Sequence, residues 1–132
     1  MTRLLVVDDS AEVRRSVCAA LGELLAGLSF GEAATAGEAL AAFARERWDG
    51  VLLDLSLPDR NGLQTLREMR RARPEIPVVV MSFHPPAEYG AAARANGAAG
   101  YVTKGSSPEA IAAAVTAALD AARNASAAPD TR

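Results

Sequence analysis

Five polar residues each follow a short apolar run: Asp8, Asp9, Asp54, Ser82 and Lys104. Three carboxylates, one hydroxyl and one ammonium group form a set of side chains that suits a divalent cation and a phosphoryl group. In an open parallel α/β sheet, ligands bind just beyond the carboxyl ends of the strands. The pattern therefore predicts that residues distant in the sequence converge in one pocket.

Lys104 is the only lysine in a chain with 14 lysine and arginine residues together. An ammonium group is a compact point charge, whereas a guanidinium group is a planar fork. Because every other lysine or arginine position holds an arginine, the presence of a lysine at position 104 indicates a specific role for its ammonium group in the predicted pocket. The alternative is a solvated lysine left by compositional drift.

The composition is typical of one soluble globular domain. The chain has 132 residues, of which 50% are hydrophobic and 23% are charged, and its net charge is −2. This charge excludes a general electrostatic attraction to nucleic acid or to an anionic membrane. A cluster of arginines, Arg67, Arg70, Arg71 and Arg73, is interpreted as the solvated face of one helix.

Three features indicate a cytoplasmic protein. The single cysteine, Cys18, lies in an apolar helical pattern and is interpreted as a small core residue of a protein from a reducing compartment. Residues 1–3 lead directly into an apolar strand, so no signal segment is predicted. The apolar run 76–81 is too short to span a bilayer.

Predicted strands and helices alternate five times along the chain. The apolar runs predict strands at about 3–8, 29–33, 50–55, 76–82 and 100–103. Helical periodicity and capping residues predict helices at about 10–26, 37–47, 62–73, 85–97 and 107–122. The first of these helices is expected to bury one face, made of Val13, Val17, Leu21, Leu24 and Leu28.

This alternation predicts a doubly wound α/β fold. Right-handed crossovers place helices on both faces of a five-stranded parallel sheet, for which the flavodoxin-like order 2-1-3-4-5 is expected. We assign residues 1–123 to this one domain and residues 124–132 to a flexible C-terminal tail.

The adjacent acids Asp8 and Asp9 repel each other, and a hard cation relieves that repulsion. The alternative is that one of them caps the first helix, and Asp54 could likewise be a loop carboxylate that accepts backbone N–H groups. The predicted strand order makes the first and third strands neighbours in space. That placement favours a shared metal site over either alternative.

Four segments resemble, in order and spacing, the receiver domain of bacterial response regulators. They are LLVVDDS at 4–10, VLLDLSLP at 51–58, VVMS at 79–82 and GAAGYVTK at 97–104. The resemblance covers about residues 2–122. The sequence Asn61-Gly62-Leu63 and the strand that contains Tyr101 are most similar to receivers of LuxR/NarL-type transcription regulators.

The resemblance implies that Asp54 accepts a phosphoryl group from a histidine kinase or a histidine phosphotransfer protein. Asp9 would bind Mg²⁺ or Mn²⁺ directly, Asp8 would act largely through water, and Asp54 and the backbone carbonyl of Ser56 would complete the protein ligands. Such a protein is mainly a signalling protein, which catalyses only the phosphorylation and dephosphorylation of its own aspartate.

The resemblance also implies roles for three further side chains. Lys104 would pair with one phosphoryl oxygen, and Ser82 would donate its hydroxyl to another. Tyr101 would turn inward or outward with the phosphorylation state and report it to a face made by the fourth helix, fifth strand and fifth helix. That face would support a phosphorylation-dependent homodimer or another protein contact.

Three positions depart from the family pattern. Gly105 follows Lys104 where many receivers have a proline after a cis bond; because a cis bond to glycine costs about 2.5–4 kcal/mol, we expect a trans loop or a strained one. Phe83 replaces the commoner small residue, so its bulk is expected to narrow access to the site. His84, the only histidine, is interpreted as a rim residue rather than a phosphate carrier.

Three alternatives to phosphoryl acceptance are a phosphatase, a nucleotide-binding protein and a receiver-like interaction module. A phosphatase of the haloacid-dehalogenase class needs a second acid two residues after its nucleophile, where this chain has Ser56, and a cap domain for which it lacks the length. No nucleotide-binding glycine motif is present. A receiver-like module that is never phosphorylated stays open, as does the output: a stand-alone receiver, or the N-terminal part of a transcription factor.

Overall fold

The structure, a computed structural model, describes residues 2–127 as strands and helices that alternate along the chain. The strands are β1 (Thr2–Val7), β2 (Leu28–Ala33), β3 (Gly50–Asp54), β4 (Val78–Ser82) and β5 (Gly100–Thr103). The helices are α1 (Ala11–Leu24), α2 (Ala36–Arg45), α3 (Gly62–Ala72), α4 (Pro86–Ala95) and α5 (Pro108–Ala127). All strands pair in parallel in the order β2-β1-β3-β4-β5, which confirms the predicted topology.

The register of the sheet aligns the carboxyl ends of its central strands. Val7 of β1 lies opposite Leu53 of β3, so Asp8 and Asp54 follow at the same edge. Ser82 of β4 lies opposite Thr103 of β5, so Lys104 follows at that edge as well. The sheet therefore delivers the predicted site residues to one place.

Both faces of the sheet are covered by helices. Alternate side chains of each central strand point to opposite faces, as the period of a strand requires. One core joins the sheet to α2, α3 and α4 and includes Leu5, Val7, Phe43, Leu53, Leu66 and Met69. The other core joins it to α1 and α5 and includes Leu4, Val6, Leu21, Leu52, Met81 and Val115. Cys18 packs partly buried against this second core, as the sequence predicted.

Polar residues at the ends of two loops cap the helices that follow them. Ser10 Oγ accepts the N–H of Val13 at 3.2 Å and so begins α1 where the sequence predicts. Asn61 Oδ1 accepts the N–H of Leu63 at 2.8 Å at the start of α3. These bonds satisfy backbone donors that a helix leaves unpaired, and they fix the direction in which each strand-end loop leaves the site.

The first helix is shorter than predicted. It ends at Leu24, and Gly27 adopts a left-handed φ of 76°, which turns the chain back into β2. Leu28 therefore begins β2, paired with Thr2, and is not part of the helix. Leu24 is 44% exposed, so the prediction that Leu24 and Leu28 belong to the buried helix face is wrong.

The last helix is longer than predicted. It continues to Ala127, so residues 124–127 of the expected tail are helical, and residues 128–132 lie outside the described part of the chain. Alanine has the highest helix propensity, and the first proline after Pro108 is Pro129, so nothing breaks the helix at Ala122.

Among residues 2–127, no helix combines the length and hydropathy that a membrane span requires.

Candidate functional site

Three aspartates meet at the edge of the sheet. Asp8 follows β1 and Asp54 ends β3, and the two are 0% and 1% exposed, whereas Asp9 is exposed to solvent. Carboxylate oxygens of all three lie within 4.8 Å of one another. The structure thus brings together the three acids that the sequence predicts to converge. The carboxylates of Asp8 and Asp54 are buried, and that of Asp9 is exposed to solvent.

Lys104 joins two of these acids. Its Nζ lies 2.9 Å from Asp54 Oδ2, to which it donates a hydrogen bond, and 2.6 Å from Asp8 Oδ2. The contact with Asp8 is close but lacks the angles of a hydrogen bond, so Asp8 Oδ2 is buried without a hydrogen-bond partner. With its side chain only 8% exposed, Lys104 neutralises part of a buried negative charge.

Backbone groups and an arginine hold Asp8 in place. Asp8 Oδ1 accepts the N–H of Ser10 at 2.9 Å, and the Asp8 carbonyl accepts Nη1 of Arg14 at 2.6 Å. Arg14 also pairs with Glu32 of β2 at 2.9 Å. Sequence reasoning missed Arg14; the signal available was an arginine in the first turn of the helix that directly follows the acid pair.

Both oxygens of Asp54 are engaged. Oδ1 accepts the N–H of Ser56 at 2.9 Å, and Oδ2 accepts Nζ of Lys104. Burial raises the pKa of Asp54, and this effect outweighs the hydrogen bonds from Ser56 and Lys104. Burial by itself lowers the pKa of Lys104, but the hydrogen bond to Asp54, the close ionic contact with Asp8 and the attraction of both carboxylates prevail and raise the pKa above its ordinary value.

The acid cluster fits a hard divalent cation. Its donors are all oxygens, and one of them, Asp8 Oδ2, is buried and contacts only the Lys104 ammonium, as an ion pair at 2.6 Å that is not a hydrogen bond. Mg²⁺ in proteins binds through one or two carboxylates and keeps positions for water and phosphate oxygens, and Asp9 on the open side allows such an arrangement. Asp8, Asp9 and Asp54 are therefore the residues that would hold Mg²⁺ or Mn²⁺; a contribution from the Ser56 carbonyl stays a prediction.

Ser82 ends β4, the strand between β3 and β5 in the sheet. It is 0% exposed, and its Oγ accepts the N–H of His84 at 3.1 Å, which leaves the hydroxyl proton to be donated elsewhere. The N–H of Lys104 donates to the Ser82 carbonyl at 2.6 Å across β4 and β5. The hydroxyl and the ammonium group are thus carried by adjacent, directly bonded strand ends.

Tyr101 is turned toward the loop after β4. Its hydroxyl donates to the backbone carbonyl of His84 at 2.7 Å, and its ring packs partly buried against the core beneath α2, α3 and α4. Of the two orientations expected from the sequence, this structure has the inward one.

The peptide bond between Lys104 and Gly105 is trans, because the described residues contain no cis peptide bond. Gly105 has a φ of 89°, a left-handed conformation that glycine adopts without a steric penalty. The chain therefore takes the trans loop of the two alternatives, and glycine rather than proline makes this turn possible.

Phe83 and His84, the two residues after Ser82, lie at the rim of the site. Phe83 is 70% exposed, and Lys104 Nζ lies 4.9 Å from the centroid of its ring. His84 Nδ1 lies 3.4 Å from Glu88 Oε2, and its ring meets that of Tyr89 edge to face at 4.7 Å. These contacts agree with a position of His84 at the rim.

A second residue that sequence reasoning missed is Asp59, in the loop between β3 and α3. Its two carboxylate oxygens accept the N–H groups of Ala36 at 2.9 Å and Gly37 at 3.0 Å, at the start of α2. These two bonds lower the pKa of Asp59. The loop that carries Ser56 is thereby fastened to a different helix.

The arrangement can support transfer of a phosphoryl group to a carboxylate. Asp54 offers an oxygen nucleophile, the acid cluster offers a cation site, and Lys104 and Ser82 offer donors for phosphoryl oxygens. Catalysis of phosphoryl transfer consists mainly of positioning and charge neutralisation, which are the properties that this site has.

Comparison with proteins of known sequence agrees with this chemistry. Residues 4–116 match the family described as response regulator receiver domain. The response regulator GacA of Pseudomonas aeruginosa is 36% identical over 110 residues, which are 83% of this chain and 51% of GacA. The response regulator UvrY of Escherichia coli K12 is 29% identical over 115 residues, 87% of this chain and 53% of UvrY. The chain thus spans about half the length of these curated relatives.

Comparison with solved structures leads to the same family. A CheY-like receiver domain protein from Methanospirillum hungatei JF-1 superposes with a TM-score of 0.87 at 27% identity, over 95% of this chain and 98% of the other. A LuxR-family two-component response regulator from Aurantimonas sp. SI85-9A1 superposes with a TM-score of 0.84 at 32% identity, over 92% of this chain and 87% of the other. On the match over residues 4–116, supported by this fold, the chain belongs to the response regulator receiver domain family of two-component systems.

Proposed function

We propose that this receiver accepts a phosphoryl group on Asp54 from the phosphohistidine of a histidine kinase or phosphotransfer protein, with Mg²⁺ at Asp8, Asp9 and Asp54. We place this activity in the cytoplasm, where response regulators generally act. The observation that supports the proposal best is the position of Lys104 Nζ, 2.9 Å from Asp54 Oδ2 and 2.6 Å from Asp8 Oδ2.

Asp54 is the acceptor in this proposal because it is the central acid. It ends β3, between the acids that follow β1 and the serine that ends β4. The Ser56 N–H holds Oδ1 and Lys104 holds Oδ2, so the carboxylate is oriented before the donor arrives. Bound Mg²⁺ supplies charge neutralisation for the incoming phosphoryl group. Lys104 would then pair with one phosphoryl oxygen, and the buried hydroxyl of Ser82 would donate to another.

Phosphorylation would reach the protein surface through the loop after β4. Movement of Ser82 toward the phosphoryl group would displace His84, whose N–H donates to Ser82 Oγ. His84 also accepts the Tyr101 hydroxyl, so Tyr101 would be repositioned. The face formed by α4, β5 and α5 would then change its capacity for self-association or for contact with a partner. The final output is a protein contact or a DNA-binding domain outside this chain.

The test is the mass of the intact protein after incubation with acetyl phosphate and Mg²⁺. Wild type should gain one phosphoryl group, and Asp54→Asn should gain none. Asp120→Asn is the matched control, because Asp120 is an exposed acid on α5. Excess chelator should abolish labelling of wild type. Equal labelling of wild type and Asp54→Asn would refute the assignment of Asp54, and no labelling at all would favour a receiver-like module that is not phosphorylated.

A further inference from the structure

Phe83 is the most exposed large apolar side chain among the described residues, with 70% of its surface accessible. It directly follows Ser82, which is completely buried. An aromatic ring in this position contributes little to the core, because burial rather than exposure gives an apolar side chain its stabilising effect. Its contacts therefore point to a role at the mouth of the site.

The ring of Phe83 and the carboxylate of Asp54 share one neighbour. Lys104 Nζ lies 4.9 Å from the centroid of the Phe83 ring and 2.9 Å from Asp54 Oδ2. A phosphoryl group that contacts Asp54 and Lys104 would therefore lie close to the ring. In an in-line displacement the leaving group points away from the nucleophile, which here is the direction of solvent and the rim.

Phe83 and Lys104 also line one groove, which has a volume of about 510 Å³. The start of α1 contributes Ser10 and Glu12 to this groove, and the loop after β5 contributes Ser106. The groove has room for a planar five-membered ring beside Phe83. Most of the residues that line the groove are apolar, among them Val17, Leu21 and Ile111. Ser10, Glu12 and Ser106 are polar groups on its lining that offer hydrogen-bond partners to a ring nitrogen.

We propose that Phe83 determines specificity for the phosphoryl donor, because its ring stacks on the imidazole of the donor's phosphohistidine. The inference rests on the proposed function of Asp54. In the step, an Asp54 carboxylate oxygen forms a bond to phosphorus while the bond between phosphorus and the imidazole nitrogen breaks. The electron pair of that bond stays on the nitrogen, and the ring takes up a proton from solvent. An aromatic pair is favoured beyond its buried area, which lets the site prefer a donor that carries a ring.

The experiment compares three small donors on the same protein: phosphoimidazole, phosphoramidate and acetyl phosphate. Phosphoimidazole and phosphoramidate both break a phosphorus–nitrogen bond, but only the first carries a ring. The rate of Asp54 phosphorylation is followed by intact mass at fixed Mg²⁺. In Phe83→Leu, which keeps an apolar side chain but loses the ring, the ratio of the phosphoimidazole rate to the phosphoramidate rate should fall about threefold to tenfold. Phe83→Tyr should retain the wild-type ratio.

Leu24→Ala is the control for loss of an exposed apolar side chain, since Leu24 is 44% exposed at the far end of α1. A ratio in Phe83→Leu that falls by less than about twofold would overturn the inference. Equal changes in the phosphoimidazole rate and the phosphoramidate rate would also overturn it, because they would mean that Phe83 acts only through the size of its side chain. If no donor phosphorylates wild type at Asp54, the proposed function fails and this inference with it. If acetyl phosphate labels Asp54 but the ratio is insensitive to Phe83, only the inference about Phe83 fails.

Discussion

The hydroxyl of Tyr101 donates a hydrogen bond of 2.7 Å to the backbone carbonyl of His84. This contact joins the middle of β5 to the loop after β4, and the same loop residue donates its N–H to Ser82 Oγ. The conformation of Tyr101 is therefore linked to the position of a buried hydroxyl at the candidate site through a single residue.

Tyr101→Phe removes this hydrogen bond and leaves the ring. Because a partly buried acceptor loses its partner, the free energy of unfolding should fall by about 1 kcal/mol. Urea unfolding measures the change. Tyr89→Phe is the control, since Tyr89 is exposed and no hydrogen bond of its hydroxyl is among the described contacts. Equal stabilities of the two variants would show that the contact between Tyr101 and His84 has no energetic weight.

Lys104→Met should destabilise the protein by about 3 kcal/mol, because it leaves two buried carboxylates without their cation. The double variant Lys104→Met, Asp54→Asn should lose less than the sum of the single losses. The difference is expected to be on the order of 1 kcal/mol, because the two residues are in contact. Urea unfolding in chelator provides the four stabilities. Strict additivity would contradict the coupling of Lys104 to Asp54.

Asp9→Asn should stabilise the protein when metal is removed. Three carboxylates lie together with one ammonium group, and Asp9 makes no ion pair with that group in the described contacts. Neutralising Asp9 relieves repulsion while the pairs of Lys104 persist, a gain on the order of 1 kcal/mol. Thermal melts in chelator should show a higher midpoint for the variant, and Mg²⁺ should raise the midpoint of wild type more than that of Asp9→Asn. A lower midpoint for Asp9→Asn in chelator would contradict this view of the cluster.

Asp59→Ala should lower stability in a pH-dependent way. The N–H groups of Ala36 and Gly37 hold the pKa of Asp59 below its ordinary value. The stabilisation is therefore fully present above the unfolded pKa of about 3.9, and it is lost as the pH falls through the lower pKa of the folded state. Melts between neutral and acidic pH should show a loss in Asp59→Ala that shrinks at the acidic end. Asp120→Ala is the control, and a loss that does not vary with pH would argue against the charged cap.

The residues at the strand ends could be predicted because local sequence patterns determine where they lie. Apolar runs define the strands, and a parallel sheet sends the ends of its central strands to one edge, so Asp8, Asp54 and Ser82 had to be neighbours. The family resemblance added chemical roles for these residues, which the proposed experiments test. The similarity to LuxR-type receivers agrees with the match to the Aurantimonas structure, a LuxR-family response regulator.

The features that sequence reasoning missed depend on contacts between distant segments. The bonds from Asp59 to α2 cross 22 and 23 positions, and the pair of Arg14 with Glu32 crosses 18. No local pattern encodes which loop a given carboxylate will reach. The end of α1 was misplaced for a local reason: the leucines around it favour a helix, but Gly27 turns the chain into β2. The end of α5 was placed too early, because the alanines after Ala122 continue to favour a helix.

The hydrogen bond of 2.6 Å from the Lys104 N–H to the Ser82 carbonyl has a mechanical consequence. It joins the backbone at the ends of β4 and β5, so the two residues whose side chains are proposed to contact the phosphoryl group are also linked through their backbones. A displacement of Ser82 would therefore also move the end of β5. Tyr101 lies in that strand, three residues before Lys104. The ends of β4 and β5 are therefore coupled through the backbone, which links the candidate site to the strand that carries Tyr101.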